Sequence, residues 1–254
     1  MTKSDTVYIS PTLLLPSQVR YSRRNVEDKI TLACQRGDVY FDLNTKTYHF
    51  RYDHDKSMFS LQDPVHTIKT QQGLVLADGH HSVLASLALG CKTIPILSIN
   101  HWNGPINEDF WRWAEEKNYA YRQDLDGRHL PVPYSFLALK DDPLRYFAAI
   151  SARKFEVISG KLTSRGADYP LWVKIGRDIA FTEMRIANEL YQAGFRYHYG
   201  QETAPDFSKM IEKARQILKN HPIDGLKFMP TREHYLESTL IQQWLSKEFS
   251  PNAP

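Results

Sequence analysis

The sequence predicts an α+β fold in which a mixed first part is followed by a mainly helical C-terminal part. Short runs of β-branched and apolar residues alternate with helical patterns from residue 7 to about residue 140. From residue 141 onward, apolar residues recur mostly at helical spacing. Neither an internal repeat nor a long linker separates the two parts. We therefore predict an α+β domain over residues 1–140 and a helical region packed on it over residues 141–254.

The first predicted elements are an extended segment and a helix. Residues 7–16 are rich in β-branched and apolar residues interrupted by Pro11 and Pro16, which indicates extended chain. In the helix that follows, Asn25 is the predicted N-cap and Gly37 marks the predicted end.

The later elements follow from apolar runs and from the turn residues between them. Residues 38–51 are typical of a hairpin, because two β-rich runs flank the turn sequence Leu-Asn-Thr-Lys. The other elements predicted in the first part are strands at 65–69, 73–78 and 93–100, and helices at 79–90 and 107–117. The helices predicted in the second part cover residues 141–155, 169–195, 206–220 and 232–249.

Composition and charge limit the class of protein. With 42% hydrophobic and 24% charged residues the chain resembles ordinary globular proteins, and no apolar run could span a membrane. The first residues lack the apolar core of a secretory signal, and Cys34 and Cys91 form no Cys-x-x-Cys motif, so we expect a cytoplasmic protein. The net charge of +3 fits a compact anion such as a nucleotide phosphate, and it allows DNA without requiring it.

The junction between a predicted strand and helix at Asp78–Ser82 is the candidate site. The first N–H groups of a helix have no acceptor within the helix, and the helix dipole makes this end partly positive. Gly79 would let a phosphate approach the main chain closely, and His80 or His81 could donate to its oxygens. The alternative is a turn capped by Asp78 with two solvated histidines. Adjacent histidines in one helical turn cannot readily converge on a metal ion, so a zinc site is not expected.

Four segments carry a resemblance to a known superfamily. Residues 78–96, DGHHSVLASLALGCKTIPI, resemble the Asp-Gly-His-His/Arg turn, helix and strand of the ParB/sulfiredoxin superfamily. Residues 13–22, LLLPSQVRYS, resemble its Pro-x-Gln-x-Arg box. Residues 109–155 and the later segment 171–181 are similar to the ParB-like branch named putative nuclease. The resemblance covers residues 7–190 and implies a ParB/sulfiredoxin-like fold, with a small mixed sheet and helices.

This resemblance implies a nucleotide bound at the start of the helix after the turn. Members of the superfamily hydrolyse CTP and grip DNA, repair an oxidised peroxiredoxin with ATP, or phosphorylate free serine with ADP or ATP. The repair reaction needs a cysteine where this chain has His80, so that chemistry is excluded. The serine kinases carry an arginine where this chain has Ser82. The resemblance places the Pro-x-Gln-x-Arg segment near this turn, so Arg20, Arg23 or Arg24 could supply the cation.

We therefore expect a nucleotide-binding ParB-like protein with Mg²⁺-dependent phosphoryl transfer or nucleotide hydrolysis at Asp78–Ser82. The nucleotide would be ATP, ADP or CTP, and a small molecule could accept the phosphate. The residues expected to act on the phosphates are Asp78, as base or Mg²⁺ ligand, with His80 and His81. The residues expected to bind the nucleotide are Gln18, Arg20, Gly79 and Ser82. Two alternatives stay open, namely a non-catalytic DNA-associated or binding protein and a ParB-like nuclease.

Overall fold

The computed structural model describes residues 6–158, 161–167, 170–175, 181–220 and 223. These fall into two compact units, residues 1–142 and 143–254. The elements are mixed helices and strands, which confirms the predicted α+β class. Within the described ranges, no helix has the length and apolar character needed to cross a membrane. The helix predicted at 232–249 lies outside the described residues.

The first unit contains nine short strands and three α-helices among its described residues. The strands are β1 (Val7–Ile9), β2 (Leu14–Leu15), β3 (Arg20–Tyr21), β4 (Val39–Asp42), β5 (Thr47–Phe50), β6 (Val65–Thr70), β7 (Gly73–Asp78), β8 (Ile94–His101) and β9 (Lys140–Asp141). The helices are α1 (Arg23–Gln35), α2 (His80–Ala88) and α3 (Glu108–Glu116). Five strands form a mixed sheet in the order β1-β8-β6-β7-β2, while β3 pairs with β9 and β4 with β5.

Both faces of the five-stranded sheet are buried, because side chains that alternate along its strands belong to two different apolar cores. Val65 on β6 and Leu76 on β7 belong to one apolar core, which also contains residues of α1 and α2. Val75 and Ala77 belong to a second core, with Phe110 of α3. The period of two along β7 therefore places α2 and α3 against opposite faces of the sheet.

Most elements predicted for the first unit are present, and one cap is corrected. The hairpin at 38–51 is confirmed as β4 and β5. The N-cap of α1 is Ser22 and not Asn25, because the extended backbone of Ser22 lets its Oγ accept the Asn25 N–H at 3.3 Å. Asn25 is instead the third residue of the helix.

The second unit combines helices with a small sheet that the sequence did not reveal. Its described elements are α4 (Pro143–Ile150), β10 (Ala152–Ile158), β11 (Lys161–Gly166), β12 (Trp172–Ile175), α5 (Thr182–Gln192) and α6 (Phe207–Asn220). Strand β10 pairs antiparallel with β11 and parallel with β12.

Two predicted helices of this unit are corrected. The helix predicted at 141–155 ends at Ile150, because the next residues pair on both edges as β10. The single helix predicted at 169–195 is wrong, because Trp172–Ile175 is strand β12 and the helical part begins at Thr182. The β-branched Val173 and the pairing with β10 outweigh the helical spacing of the apolar residues.

Candidate functional site

The turn between β7 and α2 requires a glycine for two reasons. Gly79 has φ 96° and ψ 20°, a left-handed conformation that side chains with a Cβ rarely adopt. A Cβ atom on Gly79 would also lie 2.6 Å from Cγ1 of Val65 on β6. The chain can therefore turn from strand to helix within one residue only if that residue is glycine.

The two histidines fasten the first turn of α2 to the segment Ser17–Ser22. The Ser17 N–H donates to Nε2 of His80 at 3.0 Å, and the Ser22 N–H donates to Nε2 of His81 at 3.1 Å. An imidazole nitrogen that accepts a hydrogen bond carries no proton, so each ring is assigned the neutral form with its proton on Nδ1. In this form only the Nδ1–H group of either ring could donate to a phosphate.

The segment Ser17–Ser22 is itself held from two sides. The Tyr121 N–H donates to the Ser17 carbonyl at 2.9 Å, and the Lys140 N–H donates to the Val19 carbonyl at 3.1 Å. Within the segment, burial and then the Asp141 carboxylate raise the pKa of Tyr21, so this phenol stays protonated near neutral pH. The segment therefore has a fixed position relative to α2.

Arg20 is a buried member of an ion pair. Its side chain is 3% exposed, and its Nη1 lies 2.6 Å from Oδ2 of Asp142, which is fully buried. Its Nε donates to the Gln123 carbonyl at 3.1 Å. From the sequence we expect Arg20 to bind the nucleotide, whereas the structure places its guanidinium in an ion pair with Asp142.

Gln18 lies two residues before Arg20 and is also buried, but its side-chain amide is unpaired among the described residues. Its side chain is 0% exposed, and neither its amide oxygen nor its amide nitrogen has a hydrogen-bond partner in the described part of the chain. A buried polar group without a partner costs about 1–3 kcal/mol. Such a group indicates a missing partner, such as a water molecule or a ligand.

Asp78 and Ser82 differ in access to solvent. Asp78 is exposed, and its Oδ1 accepts the Gly79 N–H at 2.7 Å. Ser82 is 7% exposed, and its N–H donates to the Gly79 carbonyl at 2.9 Å, so this predicted phosphate donor already has an acceptor. Among the predicted site residues, Asp78 is exposed and Gly79 and His81 are half-buried. The buried ones are Gln18, Arg20, His80 and Ser82.

The residues near the turn fit a metal ion only if a ligand helps to bind it. In the described residues, no group of three or more His, Cys, Asp or Glu side chains is placed to hold a metal ion. Asp78 alone offers an exposed carboxylate at the turn. Mg²⁺ commonly keeps several waters and binds through one or two carboxylates together with substrate phosphates. Asp78 therefore fits a Mg²⁺ ion that arrives with a nucleotide.

The structure brings the two predicted segments together and adds residues that sequence reasoning missed. Ser17 and Phe136 contact His80, the latter with a ring-centroid distance of 5.9 Å. Asp142 lies at the start of the predicted helix 141–155, and its pairing with Arg20 joins residues 122 positions apart. No local sequence signal reports such pairings.

The other predicted cations lie on a solvated helix face. Arg23 and Arg24 both form exposed ion pairs with Glu27, at 3.5 and 3.2 Å. The Arg23 N–H also donates to Oδ1 of Asp141 at 2.8 Å. Glu27 is thereby paired on the surface of α1.

Comparison with known proteins gives one family and several similar folds. The model of the family described as "Putative ParB-like nuclease" matches residues 9–159, more than half of the chain. No curated protein sequence matches the chain. The crystal structure of protein Atu1540 from Agrobacterium tumefaciens is 19% identical, covers 89% of this chain and 97% of its own, and superposes with a TM-score of 0.58. This similarity shows a shared fold.

Two further structures are similar only at a low level. A conserved hypothetical protein from Pyrococcus furiosus is 16% identical, with a TM-score of 0.28 and coverage of 96% of this chain and 87% of its own. A free serine kinase in complex with AMP is 14% identical, with a TM-score of 0.28 and coverage of 91% and 90%.

Proposed function

This chain belongs to the ParB-like family that bears the description "Putative ParB-like nuclease", and from that membership we propose that it binds a nucleotide at the Asp78–Ser82 turn. The reaction we propose is Mg²⁺-dependent phosphoryl transfer to a small molecule or hydrolysis of the nucleotide. ATP, ADP and CTP are the candidate nucleotides.

The observation that carries this proposal is the unpartnered amide of Gln18. Gln18 lies next to Ser17, which contacts His80 in the first turn of α2. Its buried amide offers both a donor and an acceptor that the described residues leave unused. A nucleotide has hydroxyl, phosphate and base groups that could satisfy both, and binding would then remove the cost of the unpaired amide.

The turn supplies the electrostatic part of the site. The partial positive charge at the start of α2 favours an anion near Gly79 and His81. The exposed Asp78 carboxylate would hold the Mg²⁺ ion that accompanies the phosphates, and that ion would supply the neutralisation of their charge.

His80 and His81 would act mainly by position. Because each ring accepts a main-chain N–H through Nε2, each ring sets the distance between the turn and the segment Ser17–Ser22. Arg20 would act indirectly, since its ion pair with Asp142 holds the segment Ser17–Ser22, which contains Gln18.

A thermal-shift experiment tests the proposal. The full chain is heated with ATP, ADP, CTP or GTP at millimolar concentration, with and without Mg²⁺. We expect at least one nucleotide to raise the Tm in the presence of Mg²⁺. Asp78→Asn should abolish or reduce that shift, whereas Glu27→Gln on the exposed face of α1 should leave it unchanged. No shift with any nucleotide would refute the proposal.

Nuclease activity is the second candidate, favoured by the description of the family. It makes a different prediction, because a nuclease would cut supercoiled plasmid in the presence of Mg²⁺ or Mn²⁺ without needing a nucleotide. Cleavage that Asp78→Asn removes, together with no nucleotide-dependent shift in Tm, would favour this candidate. A stable nucleotide complex with no cleavage would favour the first.

A further inference from the structure

The loop between Gln123 and Lys140 begins and ends beside the segment that carries Gln18. At its start, Arg20 Nε donates to the Gln123 carbonyl at 3.1 Å. At its end, β9 pairs in parallel with β3, so that Lys140 lies opposite Arg20. Both ends of the loop are thereby fixed next to the proposed nucleotide site.

Inside this loop, the side chain of Phe136 is buried next to His80, whereas those of Tyr134 and Leu137 are exposed. Phe136 is 3% exposed, and its ring lies 5.9 Å from that of His80. Tyr134 and Leu137 are 90% and 85% exposed, the two highest values for large hydrophobic side chains in the described residues. The Ser135 Oγ accepts the Leu137 N–H at 3.2 Å, which starts a short 3₁₀ turn and gives the loop a defined shape.

The position of Tyr134 follows from that of Phe136. Two residues of extended chain span at most about 7 Å, so the Cα atom of Tyr134 lies within about 7 Å of the Cα atom of Phe136, whose ring lies 5.9 Å from that of His80. An exposed aromatic ring on an anchored loop beside a phosphate site has the chemistry that stacks on a nucleobase, because every base has a π face.

We propose that Tyr134, with Leu137 beside it, is the stacking platform for the base of the nucleotide. This inference rests on the proposed function, because it assumes phosphates at the Asp78–Ser82 turn. It makes the ligand a nucleoside polyphosphate instead of a phosphate compound without a base. Stacking on a tyrosine face does not read the hydrogen-bonding edge of the base, so ATP, GTP and CTP should bind with similar affinity.

Equilibrium binding of ATP and of inorganic triphosphate, both with Mg²⁺, tests this proposal. Isothermal titration on the full chain should show tighter binding of ATP than of triphosphate. Tyr134→Ala should weaken ATP binding about 5- to 100-fold and change triphosphate binding less than about twofold. Tyr134→Phe should keep most of the ATP affinity, because the ring remains.

Tyr48→Ala is the matched control, since Tyr48 is an exposed aromatic residue of the β4–β5 hairpin. It should leave the affinities for both ligands unchanged. Equal binding of ATP and triphosphate by the unaltered protein would refute the stacking role of Tyr134 but would remain consistent with the proposed phosphate site. Equal weakening of both ligands by Tyr134→Ala, or no weakening of either, would also overturn it. Binding of neither ligand by the unaltered protein would refute the proposed function and the platform with it.

Discussion

Two buried arginines of the first unit lie in regions that differ in how their polar groups are satisfied. Arg122 donates through Nη1 and Nη2 to both oxygens of Glu108, at 2.9 and 2.6 Å, and also to Glu115 at 2.9 Å. Both glutamates belong to α3, close to Arg122 in the chain. Arg20 pairs instead with Asp142, which is 122 residues away and fully buried. The first network is local and partly exposed, and the second is long-range and enclosed.

The surroundings of the two arginines differ as well. The α3 region has a packed aromatic core around Phe110, with Trp102 and Trp113 at ring distances of 5.8 and 5.9 Å. The turn region, which comprises Ser17–Ser22 and Asp78–Ser82, contains the buried amide of Gln18 with no partner. Among the described residues, each region contains a buried polar atom without a partner, since Arg122 Nε also lacks one, but in the α3 region the rest of the guanidinium is paired, whereas in the turn region both the donor and the acceptor of the Gln18 amide are unused.

Removing the enclosed carboxylate should have the largest effect. Asp142→Ala leaves the Arg20 cation buried without its carboxylate, so we expect the free energy of unfolding to fall by about 3–5 kcal/mol. Urea denaturation measures this change. Glu115→Ala in the α3 region should cost clearly less, because Arg122 keeps both hydrogen bonds to Glu108. Equal losses for the two variants would contradict the contrast between an enclosed and an exposed network.

The turn glycine should give the next largest effect. Gly79→Ala introduces a Cβ at φ 96° and 2.6 Å from Val65 Cγ1, so we expect a loss of about 1–3 kcal/mol from backbone strain, increased by the steric conflict. Gly37→Ala is the control, since its φ of 72° is also left-handed but no atom lies within 4 Å of the added Cβ. The difference between the two losses, measured by urea denaturation, reports the conflict with Val65. Equal losses would show that Val65 moves aside without cost.

Replacing Gln18 with an apolar residue should raise the stability of the ligand-free protein. Gln18→Met keeps the approximate volume and removes the unpaired amide, so the ligand-free protein should unfold with a free energy higher by about 1–3 kcal/mol. The same variant should lose the rise in Tm that a nucleotide and Mg²⁺ produce. This opposite change in stability and binding is expected of a residue kept for function. A destabilised Gln18→Met protein would indicate that the amide has a partner, such as an ordered water molecule, in the ligand-free protein.

Local patterns in the sequence were sufficient for most of the first unit. The hairpin at 38–51, the strands on either side of Gln72 and the helix after Asp78 all depend on periodicity and turn residues within a short window. The helix predicted at 169–195 was wrong because β12 exists through its pairing with β10, about 20 residues earlier in the chain. Periodicity alone cannot report a partner strand.

The candidate site shows the same limit. The sequence identified Gln18, Arg20 and the Asp78–Ser82 turn as neighbours by resemblance, and the bonds of His80 and His81 to Ser17 and Ser22 bring the two segments together. It could not indicate that Arg20 is neutralised by Asp142 or that the Gln18 amide is left without a partner, because both depend on long-range packing. The roles of these residues in nucleotide binding stay predictions.

The smallest expected effect concerns the α3 network at acid pH. Hydrogen bonding to Arg122 lowers the pKa of Glu108 below its ordinary value of 4.5. A carboxylate with a lowered pKa in the folded state adds stability above its unfolded pKa and loses it as the pH falls through the folded value. Because Glu108 is 66% exposed, solvent screening keeps the contribution small. Glu108→Gln should therefore make the decline of unfolding free energy below about pH 4.5 slightly shallower, as measured by urea denaturation at several pH values. Asp109→Asn serves as the control, because it alters an exposed neighbour on α3 that does not contact Arg122. An identical pH profile in both variants would show that the Arg122–Glu108 pair does not stabilise this region.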